Sequence, residues 1–109
     1  ATYKWENEDL ITINSDRAMA LCELLEEFKS KHVLFLGDGV PVFNELIKEK
    51  LGSYAHFAPN HLLHLRGGSV AMCAKKYINE GKTCDYNELK PMYLRLSQAE
   101  REYNDRFGK

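Results

Sequence analysis

The residues best placed to do chemistry are those of the turn Gly37-Asp38-Gly39. This turn directly follows the apolar run Val33–Leu36 and precedes a helical pattern, so the sequence predicts a strand, a tight turn and a helix N-terminus. Glycines let a backbone approach a ligand closely, and the positive end of a helix attracts anions. The turn is therefore the candidate phosphate or nucleotide site of the chain.

Two features of the same turn weigh against phosphate binding. Asp38 puts a negative charge where a phosphate would lie, and the sequence has neither the lysine of a P-loop nor a complete GxGxxG pattern. A strand-to-helix turn also needs small residues for its geometry alone. The structural interpretation is preferred, and ligand binding at this turn is kept as the alternative.

The histidines of the chain do not predict a metal site. His61 and His64 lie three residues apart in a predicted helix and could share a face. Zinc needs three or four converging ligands, and the spacing places no carboxylate or thiolate beside them. The remaining histidines, His32 and His56, are isolated in the sequence. No GxSxG nucleophile motif is present either, so we predict no catalytic residues and no metal.

The three cysteines, Cys22, Cys73 and Cys84, are widely separated and form no CxxC pair. A disulfide framework is therefore not expected, and a reducing, cytoplasmic setting is the simpler interpretation. Cys22 and Cys73 fall in amphipathic helical patterns, which predicts that both thiols are small buried core residues.

Composition limits the class of protein. The chain has 109 residues, of which 44% are hydrophobic and 28% charged, and a net charge of −1. This length fits one domain at most, and the charge gives no basic excess for nucleic-acid binding. No apolar run approaches the roughly 20 residues that span a bilayer. The chain begins at Ala1 rather than methionine, so we expect it to be part of a longer or processed product.

The first elements that must position the turn are a hairpin and a helix. Thr2–Trp5 and Leu10–Ile13 are β-branched and aromatic runs around a polar turn, which predicts an antiparallel hairpin. Asn14-Ser15-Asp16 provides N-cap chemistry for a helix that runs to about Lys29. The inward stripe of that helix is Leu21, Leu24, Leu25 and Phe28. Val33–Leu36 has no polar alternation, so we expect a parallel strand covered on both faces.

The later elements are predicted from glycine and proline positions. Pro41 fits the first turn of a helix that ends at Gly52, and its inward stripe is Phe43, Leu46, Ile47 and Leu51. A short strand at 54–57 precedes a long helix from Pro59 to Glu80 with Gly81 as its stop. Gly67 lies on the inward stripe of that helix, which suggests close approach of a neighbouring backbone or a kink, and close approach is preferred.

The C-terminal part is predicted to be extended and then helical. Pro91 disfavours helix in its predecessor, so residues 89–95 are expected to be extended. Ser97–Lys109 is almost entirely polar with mixed charge, which predicts a solvent-exposed or frayed helix, with docking to a partner as the alternative.

Several of these segments together resemble the C-terminal half of the TsaB (YeaZ) family of glycoprotease-like proteins. They are Phe57-Ala58-Pro59 with the helix after it, Glu80-Gly81-Lys82, and Leu89–Arg95 followed by Ser97–Glu100. The most specific part is Pro91, one residue, and then Tyr93-Leu94-Arg95. The strand and turn at 33–39 match in type and order, and the resemblance covers essentially the whole chain.

The resemblance implies a fold and a role. The fold is α/β, namely the RNase H-like lobe of the actin/Hsp70-like (ASKHA) architecture, in the order hairpin-helix-strand-helix-strand-helix. Residues 1–96 would be a partial C-terminal lobe and residues 97–109 a polar tail. The family implies a non-catalytic, cytoplasmic scaffold that acts with TsaD and the ATPase TsaE in threonylcarbamoyladenosine modification of tRNA. It implies no cofactor, no direct nucleic-acid binding and no membrane partner.

The same resemblance implies that parts of the family fold are missing from this chain. An N-terminal lobe of about a hundred residues has no counterpart, and neither does the central first strand of the C-terminal lobe. The open strand edges would be closed by another copy, by a separate N-terminal piece, or by the hairpin lying against Val33–Leu36. Gly37-Asp38-Gly39 corresponds to an adenosine-contacting loop of the nucleotide-binding relatives, degenerate here because Asp38 interrupts the glycine pair. The alternative function is a small phosphate- or nucleotide-binding α/β domain that uses this turn.

Overall fold

The computed structural model describes residues 1–108 and divides them into two compact units. The first unit combines residues 1–19 with the segment that begins at Leu89, and the second is Ala20–Glu88. All the buried hydrophobic residues belong to the second unit: Leu25, Phe28, Val40, Ile47, Leu51, Ala58 and Leu63. The hydrophobic core of the described residues therefore lies around the predicted strand–turn–helix segment.

The N-terminal hairpin of the first unit is confirmed. Strands β1 (Thr2–Glu6) and β2 (Asp9–Asn14) pair antiparallel, with Trp5 opposite Leu10. The connecting residues Asn7 and Glu8 both have positive φ, 48° and 68°, as a two-residue hairpin turn of type I′ requires. The right-handed twist of paired strands favours this turn, even though Glu8 lacks the freedom of a glycine.

The C-terminal part of the first unit is also close to the prediction. Residues 89–97 are neither helix nor strand, and the exposed helix α4 (Gln98–Phe107) follows. Ser97 caps this helix: its Oγ accepts from the Glu100 N–H at 3.2 Å, and the Glu100 carboxylate accepts from the Ser97 N–H at 2.9 Å. A reciprocal capping box of this kind stops the helix from starting earlier.

The first helix of the second unit begins later than predicted. Helix α1 is Leu21–Glu27, and its N-cap is Ala20, which makes no side-chain capping hydrogen bond. The expected cap at Asn14 is wrong because Asn14 belongs to β2, where it pairs with Thr2. The predicted inward stripe is correct: Leu25 and Phe28 are buried, and the partly buried Leu21 and Leu24 pack against them.

The central strand–turn–helix unit is present, and its strand is parallel as predicted. Strand β3 is Val33–Phe35, helix α2 is Val40–Leu51, and strand β4 is Ala55–Phe57 after a 3-10 turn at Gly52–Tyr54. Leu34 is aligned with His56 in the parallel pairing of β3 with β4. Gly52 ends α2 with φ of 56°, which confirms it as the stop.

The prediction that this strand is covered on both faces is wrong. On one face Val33 and Phe35 pack with Ala55 and Phe57 against buried residues of α1 and α2. On the other face Leu34 and Leu36 are 59% and 66% exposed. We call this second side of the β3–β4 sheet the open face. The apolar run reflects what the strand can bury, but no element of Ala20–Glu88 covers its second side.

The long helix predicted from Pro59 to Glu80 is divided into two elements. A 3-10 turn covers Asn60–Leu62, and helix α3 (Gly67–Asn79) starts only after a break. Leu63 lies in this break and is buried with Val40 and Ala58, so the chain bends toward the core there. Gly67 opens the helix instead of lying inside it, and a Cβ there would meet nothing within 4 Å. The expected close approach at Gly67 is therefore wrong.

The end of α3 is correctly predicted. Gly81 has φ of 70°, and the N–H groups of Gly81 and Lys82 donate to the carbonyls of Ile78 and Tyr77. This is the Schellman arrangement, for which glycine is the preferred residue.

Taken together, residues 1–108 form a mixed α/β structure with two separate two-stranded sheets and four α-helices. The predicted element order is confirmed. The expectation of buried thiols is wrong because Cys22 and Cys73 are exposed, as is Cys84. Cys73 lies in α3, a helix in which no residue is buried. Within the described part of the chain, no helix is long and apolar enough to cross a membrane.

Candidate functional site

The turn at Gly37-Asp38-Gly39 lies between β3 and α2, as the sequence predicts. Gly37 has φ of 120°, a conformation that side chains rarely adopt, and is therefore required by the backbone. Gly39 is the helix N-cap with φ of −74° and ψ of −19°, which any residue can adopt. Asp38 is exposed between them. Backbone geometry thus accounts for the first glycine but not for the second.

The first N–H groups of helix α2, which follow this turn, are used in short-range hydrogen bonds. The Val40 N–H donates to the Gly37 carbonyl at 3.2 Å, and the Val42 and Phe43 N–H groups donate to the Gly39 carbonyl at 3.1 and 3.2 Å. Pro41 has no N–H to offer. A helix N-terminus binds anions through free N–H groups, and Val40, Pro41 and Val42 offer none. The first turn of α2 therefore gives a phosphate little to bind, and Asp38 adds a negative charge.

The second group of predicted site residues lies in the segment before α4. Pro91 and Arg95 are exposed, Tyr93 is 84% exposed, and Leu94 is about half exposed. Neighbouring apolar residues are exposed in the same segment: Leu89, Met92 and Leu96. Pro91, Tyr93, Leu94 and Arg95 therefore lie on an accessible apolar segment with two positive charges, those of Lys90 and Arg95. Such a segment suits contact with another macromolecule better than catalysis.

The electrostatics at the end of this segment are set by the α4 capping box. Hydrogen bonds from the Ser97 side chain and backbone hold the pKa of the Glu100 carboxyl below its usual range. Both groups are exposed, so this contact fixes where the helix starts and does not create a reactive carboxylate.

The sequence analysis missed a contact between two histidines of the second unit. The Nδ1 atom of His32 and the Nε2 atom of His56 lie 2.9 Å apart. Their ring centroids are 5.2 Å apart with planes inclined by 23°, so the rings lie nearly coplanar and edge to edge. The Tyr54 ring lies beside His32, with centroids 5.0 Å apart. The parallel pairing of β3 with β4 could have indicated this contact, because Leu34 is aligned with His56 and His32 lies two residues before Leu34, on the same side by alternation.

The other side chains that could bind a metal do not form a cluster among the described residues. Within residues 1–108 no group of three or more histidine, cysteine, aspartate or glutamate side chains converges as a metal site. Two surface depressions contain no residue of the glycine turn: one is lined by α3 residues such as Met72 and Lys75, the other by Leu96 and α4 residues such as Tyr103.

Comparison with known proteins supports the resemblance in its coarse form. The chain is 29% identical over 103 residues to the tRNA threonylcarbamoyladenosine biosynthesis protein TsaB of Bacillus subtilis (strain 168). The match covers 93% of this chain and 43% of the relative, so the chain spans less than half the length of that protein. No protein-family profile matches the chain, and no solved structure is significantly similar to it.

Proposed function

We propose that this chain is the C-terminal portion of a TsaB-type protein with a role in threonylcarbamoyladenosine biosynthesis. The observation that carries the proposal is the match to B. subtilis TsaB across 93% of the chain. The Pro91-to-Arg95 segment, which carries the most specific part of the resemblance, is accessible on the surface.

The proposed role is that of a non-catalytic scaffold which supports TsaD and TsaE in the cytoplasm. Two features support a scaffold over an enzyme: Asp38 is exposed in the glycine turn and puts a negative charge where a phosphate would lie, and α3 contains no buried residue. A helix with apolar side chains exposed along it, such as Val70, Met72, Tyr77 and Ile78, suits a packing partner.

The proposed fold is an incomplete RNase H-like lobe of the ASKHA type over residues 1–96, followed by the tail at 97–109. Two separate two-stranded sheets and an open face are what such a lobe would have without its central strand. An isolated two-stranded sheet is only marginally stable, so a further strand or a second copy is expected to complete it.

The role is tested with a chimera in a B. subtilis strain whose own TsaB is under inducible control. The chimera replaces the C-terminal part of that TsaB, which this chain is proposed to match, with residues 1–109 of this chain. We expect the chimera to restore threonylcarbamoyladenosine in tRNA, measured by mass spectrometry of digested tRNA, and to co-purify with TsaD. A stable, expressed chimera that restores no modification contradicts the proposal.

A matched pair of variants in the chimera tests the exposed C-terminal segment. Tyr93→Ala with Arg95→Ala should lower the modification level and the recovery of TsaD, since both side chains are exposed and neither supports the core. Tyr86→Ala is the control, because Tyr86 is similarly exposed, at 83%, but lies outside the segment. Equal loss in both would show that the segment has no special part in the contact.

The alternative, a nucleotide-binding domain, predicts a different result. Calorimetric titration with ATP, ADP and AMP should then show saturable binding that Gly37→Val abolishes. Gly37→Val also strains the backbone at φ of 120°, so Asp38→Asn is the better probe of a ligand site. Nucleotide binding that is strengthened by Asp38→Asn would favour the nucleotide-binding hypothesis. The absence of a calorimetric binding signal with ATP, ADP and AMP would favour the scaffold hypothesis.

A further inference from the structure

We propose that His32 and His56 form a two-imidazole site for a divalent late transition metal, with Cu²⁺ as the best-fitting ion. The parallel pairing of β3 with β4 brings the two histidines together. Leu34 is aligned with His56, and His32 lies two residues before Leu34, so both imidazoles reach the same end of the open face. Histidines 24 positions apart in the sequence thereby become nearest neighbours.

The distance between the two ring nitrogens fits a chelate. Metal–imidazole bonds are about 2.0–2.1 Å long. Two such bonds at a right angle place their nitrogens about 2.9 Å apart, whereas a tetrahedral angle would place them about 3.3 Å apart. The observed separation of Nδ1 of His32 and Nε2 of His56 is 2.9 Å. The pair therefore matches adjacent positions of a square-planar or tetragonal ion, the geometry of Cu²⁺ and Ni²⁺.

The surroundings of the pair allow an ion to enter. Both histidines are exposed, so each ring can turn by about 45° to direct its nitrogen at a metal bound at a right angle. The metal would then replace the single proton that now lies between the two nitrogens. The adjacent Tyr54 ring limits the positions that His32 can take. Within residues 1–108 no third histidine, cysteine, aspartate or glutamate converges on the pair, so water completes the coordination. Cu²⁺ heads the affinity order for such a nitrogen site.

The experiment must separate this site from the exposed thiols. Cys22, Cys73 and Cys84 are exposed and would bind or reduce Cu²⁺, so all three are changed to serine in the protein used. Cu²⁺ is titrated into this chain at neutral pH by calorimetry, and the bound ion is examined by electron paramagnetic resonance. We expect one ion per chain with hyperfine structure from two nitrogens, and at least tenfold weaker binding in His32→Ala and in His56→Ala.

The double variant His61→Ala/His64→Ala is the matched control and should bind Cu²⁺ unchanged. Circular dichroism checks that each variant is folded. Paramagnetic broadening of NMR signals by Cu²⁺ is a second test that needs no histidine variant. In the chain with all its histidines, the signals of residues 32, 54 and 56 should disappear first. Binding unaffected by either single variant, or broadening centred on His61 and His64, would overturn the proposal.

Discussion

The imidazoles of His32 and His56 share one hydrogen bond across the parallel strands β3 and β4, with 2.9 Å between their nitrogens. Neither residue belongs to the covered face of the sheet, where Val33 and Phe35 pack against α1 and α2. The same two strands thus present a hydrophobic side to the core and a polar pair on the open face. Stability and any chemistry of this sheet are therefore separable by mutation.

Removing both imidazoles should have a small effect on stability. A hydrogen bond between exposed neutral groups contributes about 0.5–1.5 kcal/mol, so a double-mutant cycle of His32→Ala and His56→Ala should give a coupling energy of about 1 kcal/mol or less. Urea unfolding without added metal measures it. A cycle between His32 and His61, which lies in a separate 3-10 turn, should show no coupling.

The two sides of β3 and its helices should respond very differently to truncation. Ile47→Ala should lower the free energy of unfolding by about 2–5 kcal/mol because Ile47 is 3% exposed within the core. Leu34→Ala should cost less than about 1 kcal/mol, since Leu34 is 59% exposed. Chemical denaturation of both variants checks this. A loss at Leu34 as large as that at Ile47 would mean that the open face is covered in solution.

The two glycines of the β3–α2 turn should also differ. Gly37→Ala should destabilise the chain by about 1–2 kcal/mol because φ of 120° is unfavourable for alanine. Gly39→Ala should change stability by less than about 0.5 kcal/mol, because its φ is ordinary and a Cβ there would meet Phe43 at 3.8 Å, a normal contact. Thermal unfolding of the two variants side by side is the measurement. Equal effects would point to a ligand or partner that needs Gly39.

Glycines at the two ends of α3 should have opposite effects when changed to alanine. Gly68→Ala should stabilise the helix by up to about 1 kcal/mol, since nothing lies within 4 Å of the added Cβ. Gly81→Ala should destabilise it, because Gly81 has φ of 70° in the Schellman turn. Secondary chemical shifts of residues 67–79 report both. Destabilisation by Gly68→Ala would point to a neighbour that closely approaches the start of α3.

The capping box makes the start of α4 sensitive to acid. Because hydrogen bonds from Ser97 lower the pKa of Glu100 in the folded chain, their stabilisation is complete above the usual carboxyl range. It is lost as the pH falls through the lowered pKa. Secondary chemical shifts of residues 98–107 should therefore decline in that window. In Glu100→Gln, where the amide can still accept from Ser97 but does not titrate, this part of the decline should be absent.

Structural features that depend only on neighbours along the chain could be predicted. The hairpin, the strand–turn–helix at 33–51, and the glycine stops at Gly52 and Gly81 all follow from backbone preferences within a few residues. Prediction failed where a residue that suits one local role takes a different role in the structure. Asn14 is a good N-cap in isolation, but its backbone pairs with Thr2 in β2.

The sequence alone determined the elements, their order and the special backbone conformation at Gly37, since these reflect steric limits that each residue carries with it. Only the tertiary structure decided which side of β3 is covered, that the chain bends at Leu63, that Cys73 is exposed, and that His32 meets His56. Burial and long-range contact depend on which other element packs there, and periodicity records only what a face can bury.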